Sequence, residues 1–338
     1  MSRRSQRRSS PTNVRLALIV LIGALFVVIC ACAATMIAIG NLVDGQDEVV
    51  APEPGSESAL VVAYSPEKEP AFTTLVDSFN AQGFETPDGQ PLTVEAISLD
   101  PEAMVNAVLD GSASFQAMTP DSTVWLGQLD QEWSEKAGPD ATAVGETVRY
   151  AISPVVIATW ESVAQEMGWP DRPVGWQELL ERAQSDPDFR WSHPSTSSAS
   201  GLLATLAEFY AGAGKTRGLT IDDVTAQETL DYVAALEKTV RFYGEGDEPA
   251  LIEQALLEGN AFLDAFVVQE QMVIDYNTRR QGQEALVALY PVEGTLWEDH
   301  PLALLETGDL TPLQRQTFAR FGDYLLSPEA QQVVLQHG

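Results

Sequence analysis

The side chains most able to do chemistry in this chain are hydroxyls and amides placed where apolar runs stop. Pro194-Ser195-Thr196-Ser197-Ser198-Ala199-Ser200-Gly201 puts five hydroxyl residues directly ahead of an apolar helical segment, 202–211. One of them suffices to cap a helix, and the free N–H groups at a helix start also hold carboxylates and other anions. The segment reads as a ligand loop, with a plain cap or flexible loop as the alternative. Tyr64-Ser65, Thr119-Pro120-Asp121-Ser122 and Gln269-Glu270 also sit at the ends of apolar runs. In open sheets, ligands bind beyond the carboxyl ends of strands. Ordinary turn chemistry accounts for the same residue types.

Other motifs fail. Gly214-Lys215-Thr216 ends like a phosphate-binding loop, but Phe209 stands where the earlier glycine is required, so a helix C-terminus is expected there. Asp110-Gly111-Ser112-Ala113-Ser114 fits an Asp-x-Ser-x-Ser metal motif, yet it follows an amphipathic helix and reads as a glycine cap and turn. His193, His300 and His337 are far apart and each borders Pro or Gly, which predicts loop residues. Neither Gly-x-Ser-x-Gly nor His-Glu-x-x-His occurs. No enzyme activity, cofactor or metal site is expected.

The elements that must position these groups alternate. Residues 59–64 form a continuous apolar run, as in a strand covered on both faces. A helix follows with Phe72, Leu75, Val76 and Phe79 on one face. A strand at 92–97 leads to a helix opened by Asp100-Pro101-Glu102, and a strand at 115–118 to a helix starting near Ser122. Three strand–helix units in succession predict a parallel sheet with right-handed crossovers. Residues 148–157 read as one extended run, broken by Pro154, that carries the chain to a second lobe. Helices are expected at 176–183, 202–211, 228–243 and around Leu251–Leu256. Strands follow at 266–268 and 286–290, then helices at 314–326 and 329–336. The seven tryptophans are expected in the cores; an exposed group of them would mark a partner surface.

Residues 16–39 carry no charge. As a helix they would span about 36 Å, enough for a bilayer core of about 30 Å. Five arginines (Arg3, Arg4, Arg7, Arg8 and Arg15) precede the first acid, Asp44. That asymmetry predicts a cytoplasmic tail at 1–15, a membrane anchor at 16–39 and an exported remainder. Cleavage near Ala31-Cys32-Ala33, or lipidation of Cys32, are the competing readings. Residues 40–57, with Pro52, Pro54 and Gly55, read as a linker. Cys30 and Cys32 are the only cysteines, so the exported part has neither a disulfide nor a thiolate zinc site. The whole chain carries a net charge of −30. An acidic surface of this kind excludes nucleic acid as a partner and leaves solubility or a cationic ligand as its meaning.

Several segments, in order, resemble the bacterial extracellular solute-binding proteins of the type II periplasmic fold, the broad group that includes molybdate-type receptors. They are Ala63-Tyr64-Ser65-Pro66-Glu67-Lys68, Tyr150-Ala151-Ile152-Ser153-Pro154, His193-Pro194-Ser195-Thr196-Ser197, Leu289-Tyr290-Pro291-Val292-Glu293-Gly294-Thr295 and Tyr324-Leu325-Leu326-Ser327-Pro328-Glu329-Ala330-Gln331-Gln332. The resemblance implies an α/β, two-lobed fold: lobe one from 58–149 plus 289–338, lobe two from 150–288, and a small molecule or ion held between them. It places Ser65, Ser122, Ser197 and Tyr290 at the ligand, with Thr196 and Gln269 in support; Tyr64, Thr119 and Ser195 complete the candidate set. Delivery to an ABC transporter permease, or sensing, is the implied role. An anchored extracellular interaction protein that reuses the clamp is the alternative. Pro66, Glu67 and Glu69 depart from the oxyanion-binding pattern, and their charge counts against an anionic ligand.

Overall fold

The computed structural model describes residues 59–241 and 248–337. The expected tail, anchor, lipidation site and linker at 1–57 lie outside the described residues. Among the described residues no helix is long and apolar enough to cross a membrane.

The chain builds two five-stranded sheets. The first opens with β1 (Leu60–Tyr64), α1 (Glu69–Ala81), β2 (Val94–Ser98), α2 (Pro101–Asp110), β3 (Ala117–Thr119), α3 (Thr123–Ala137) and β4 (Val144–Arg149). The second uses β5 (Ser153–Trp160), α4 (Glu161–Met167), α5 (Trp176–Ser185), β6 (Trp191–Ser192), α6 (Ala199–Gly212), α7 (Ile221–Thr225), α8 (Gln227–Glu237), α9 (Glu248–Glu258), β7 (Ala265–Gln269), α10 (Glu270–Arg279), β8 (Leu286–Leu289) and β9 (Trp297–Glu298). The chain then returns to the first sheet through β10 (Pro301–Leu305), α11 (Pro312–Leu325) and α12 (Pro328–His337).

The first sheet has the order β2-β1-β3-β10-β4. β1 pairs in parallel with β2 and β3, as the alternating units predict. β10 enters between β3 and β4 antiparallel to both, so this sheet is mixed and not parallel throughout. All five residues of β10 are buried. Phe72, Leu75 and Phe79 of α1 pack on one face of this sheet with Phe318 and Phe321 of α11. Thr311, Pro312 and Gln314 start α11 with a capping box and a proline in the first turn.

The second sheet has the order β6-β7-β5-β8, with β9 also pairing to β5. β5 is buried at all eight positions because β7 and β8 flank it and helices cover both faces. The run read as one strand at 148–157 is therefore two strands in different sheets, parted at Tyr150–Ile152. β8 and β9 stay with β5, so the strand pairing hands the chain back at Pro301 and not at Leu289. The helix expected at 228–243 ends at Glu237. Gly214 lies past the end of α6 at φ 63° and Gly111 past the end of α2 at φ 81°; both are left-handed helix-terminal glycines, not ligand loops. Trp125, Trp160, Trp176 and Trp191 are buried in the cores, whereas Trp297 is 54% exposed.

Candidate functional site

Two short crossings, Tyr150–Ile152 and Asp299–His300, join the sheets, and polar groups from both converge on them. β1 ends at Tyr64; Ser65 and Pro66 then turn the chain so that Lys68 points back to the end of β3. Its ammonium donates to Thr119 O at 2.7 Å, Thr119 Oγ1 at 3.0 Å and Pro120 O at 2.9 Å. Those three bonds use all its protons, yet Nζ also lies 3.4 Å from Asp121 Oδ1. His300 Nδ1 approaches the same oxygen at 3.4 Å. His300 N–H donates to the Asp121 carbonyl at 2.9 Å. The backbone of His300 is held at φ 33°, outside the regions ordinary residues prefer. Asp299 fixes this crossing further: it accepts from Thr123 N at 2.8 Å and Arg149 Nε at 2.6 Å.

The second sheet adds carboxylates. Glu298 of β9 is wholly buried, and its Oε1 accepts from Ser200 Oγ at 3.0 Å. Glu248 opens α9, also wholly buried, and its Oε2 accepts from Gln269 N at 3.0 Å. Glu67 is buried on the first-sheet side, and its carbonyl accepts from Gln271 Nε2 at 3.3 Å. Several enclosed atoms have no hydrogen-bond partner: both oxygens of Asp121, Glu298 Oε2, Glu248 Oε1, His300 Nε2 and both amide atoms of Gln269.

The electrostatics follow from this crowding. Burial works to raise Asp121, but Lys68 and then His300 outweigh it and hold the carboxyl at about 2. Burial pushes Glu248 well above the usual carboxylate range, with Glu67 and Glu298 adding to it. Glu298 is pushed up likewise by burial, then by Asp121 and Glu67. Burial lowers His300, favouring the neutral ring. Four carboxyl groups thus face one lysine, and Glu248 and Glu298 hold their protons more tightly than ordinary carboxylates. A cavity of about 40 Å³ borders Lys68, Tyr150, Ser153 and His300, room for a few waters. A larger one of about 240 Å³, lined by Glu67, Glu69, Glu253, Gln271, Asp275 and Arg279, opens between the two sheets.

The residues singled out in the sequence divide into three groups. Ser65, Thr119, Ser122 and Gln269 are all buried, and each borders this cluster in sequence or by contact. Ser122 caps α3 by accepting from Val124 N at 3.3 Å. Tyr64 is a core residue whose ring lies 5.1 Å from that of Phe72. Ser195 and Thr196 are exposed and Ser197 half-exposed, ahead of α6, while Ser198 provides the cap by accepting from Gly201 N at 3.1 Å. Tyr290 is 51% exposed and donates to Glu270. The sequence pattern does not single out Lys68, Glu298 or His300, and it includes Asp121 only within the strand-end segment Thr119-Pro120-Asp121-Ser122. His193 and His300 do lie in loops as expected, but both are only 3% exposed. The available signal was Glu67-Lys68 beside Ser65; nothing local separates Asp121 and Glu298 from the other acids.

Comparison with known proteins agrees with this architecture. The family described as "Bacterial extracellular solute-binding protein" matches residues 60–338. Among solved structures, AfuA from Actinobacillus pleuropneumoniae, a periplasmic binding protein with fructose-6-phosphate bound, aligns at a TM-score of 0.57 and 13% identity, covering 83% of each chain. A periplasmic thiamin binding protein aligns at 0.56 and 12% identity, covering 82% of this chain and 80% of the other. Iron-bound HitA from Pseudomonas aeruginosa aligns at 0.55 and 14% identity, covering 82% of this chain and 84% of the other. At such identities the likeness is one of fold. No match to a curated protein was found.

Proposed function

The chain belongs to the bacterial extracellular solute-binding proteins, and from that premise we propose that it captures a small cationic solute between its two lobes. The observation that carries this reading is the charge of the buried interlobe cluster. Glu67, Asp121, Glu248 and Glu298 come from both lobes, and Lys68, paired with Asp121, brings a fixed positive charge among them. A positive solute group entering there lets Glu248 and Glu298 release their protons and pairs carboxylates that are otherwise buried at a cost. Because each lobe supplies part of the set, the solute favours the closed arrangement by its greater affinity for it. An oxyanion would meet the same carboxylates with repulsion.

Recognition is assigned to Asp121, Glu298 and His300, with Ser65, Thr119, Ser122 and Gln269 around them. Ser195, Thr196, Ser197 and Tyr290 are outer contacts on the second lobe, and Tyr64 supports Ser65 from the core. Residues 16–39 would hold the chain in the membrane with the lobes outside, where the solute is passed to an ABC-type importer or sensed. The uncharged span and the arginines ahead of it support that placement. A thermal-shift panel on the detergent-solubilised full chain tests the reading. Amines, cationic amino acids or metal ions should raise the unfolding midpoint by RT ln(1 + [L]/Kd). A panel in which only oxyanions or sugars did so would overturn it.

A further inference from the structure

The second lobe carries another cluster that the cleft does not use. His193 follows β6, Glu208 lies on α6 and Glu237 ends α8, and one ligating atom from each lies within 4.8 Å of the others. His193 and Glu208 are buried, the latter completely; Glu237 is half-buried. The ring of His193 is fixed: Nδ1 lies 2.8 Å from the carbonyl of Pro194, which can only accept, so Nδ1 carries the hydrogen. In the neutral ring Nε2 then presents a lone pair, and it faces Glu237 Oε1 at 3.4 Å. Trp191 holds the ring from the side, with centroids 5.9 Å apart. Glu208 has both carboxylate oxygens enclosed and without a hydrogen-bond partner. Three groups able to ligate a cation converge, and Glu208 and Glu237 share one proton between them.

A single divalent ion would take that proton's place and engage all three. Two carboxylates balance its charge, so no net charge is left buried. A ligating histidine usually donates its other ring N–H to a carbonyl or carboxylate, as His193 does to Pro194. The 3.4 Å separation also suits neighbouring ligands on a tetrahedral ion with bonds of about 2.1 Å. We propose that His193 Nε2, Glu208 and Glu237 form a structural site for a divalent first-row transition-metal ion in the second lobe, separate from the solute cleft. One imidazole and two carboxylates suit ions of the zinc, cobalt or manganese kind and not a soft monovalent ion. Bound there, the ion would tie the start of the Pro194–Ser198 loop to α6 and α8.

The test uses the full chain in detergent, stripped with EDTA and titrated with Co²⁺ and Zn²⁺ at pH 7.5. One equivalent of Co²⁺ should give a visible d–d band, and Zn²⁺ at 100-fold excess over Kd should raise the unfolding midpoint by about 5 °C. Glu208→Gln keeps the shape but removes the ligand charge, and combined with Asp121→Asn, which takes away any metal held in the cleft, should abolish both responses. Glu237→Gln, at the half-buried ligand, serves if the first variant fails to fold. Asp121→Asn in the cleft should leave both responses intact, which separates this site from the solute site. Neither response in the unmodified chain, as expected if protons alone settle the cluster, would overturn the proposal. So would their survival in either Glu variant combined with Asp121→Asn.

Discussion

Replacing Lys68 with methionine tests the electrostatics of the cleft quantitatively. Lys68 and Asp121 are 5% and 1% exposed, so their pairing is not screened by water. Asp121 sits at about 2 in the folded chain against an ordinary 3.8. That gap corresponds to roughly 2 kcal/mol of stability. Its sign is fixed: the folded pKa is the lower one, so the stabilisation is present above pH 3.8 and is lost as pH falls toward about 2. Methionine fills the same volume but leaves Asp121 buried without a counter-charge, and its pKa should then rise above the unfolded value. The expected loss at pH 7 is about 3–5 kcal/mol, the range for breaking one side of a buried pair. The variant should regain ground in acid as Asp121 takes a proton, so the gap narrows below about pH 5. Urea unfolding of both proteins at pH 7 and pH 4 reads this directly. A gap under about 1 kcal/mol at pH 7, or one that does not narrow at pH 4, would refute the reasoning.

Three further outcomes follow from the same structure. Gly201→Ala should destabilise the second lobe by about 1–3 kcal/mol in urea unfolding, because a Cβ there would stand 2.1 Å from Ser195 O and 2.4 Å from Pro194 O. Phe321→Ala should cost about 3–5 kcal/mol by the same assay, since Phe321 is wholly buried and packs against Phe79 at 5.1 Å and Phe72 at 6.0 Å. Cation affinity measured by calorimetry should weaken as pH falls, up to about tenfold per unit for each proton displaced, because Glu248 and Glu298 have raised pKa values and must release protons to pair with the solute.

The legible parts of the fold were those whose evidence is local. β1 announces itself through an unbroken apolar run, and α1 through Phe72, Leu75, Val76 and Phe79 at helical spacing. β10 did not: Pro301–Leu305 is a short apolar stretch behind a proline, and its place between β3 and β4 depends on pairing with residues far away in sequence. That one strand turned an expected parallel sheet into a mixed one. The candidate site divides the same way. Ser65, Thr119 and Gln269 stand at strand ends, a position readable from the pattern, and the fold buries all three. Asp121 stands at one such end too, but among 49 acidic residues only burial distinguishes it and Glu298. His300 reads as a loop histidine beside a proline; only the crossing buries it against Asp121.

An interlobe site lined by these carboxylates should select positive charge. Titration calorimetry of the full chain in detergent tests it most directly, comparing a diamine, a cationic amino acid and divalent ions with molybdate, sulfate and phosphate. Glu208→Gln run in parallel removes any contribution from the second-lobe cluster. Saturable binding by a cationic solute is expected, lost when Asp121→Asn and Glu298→Gln are combined, with no heat from the oxyanions. Saturable oxyanion binding that survives the combined variant would contradict it.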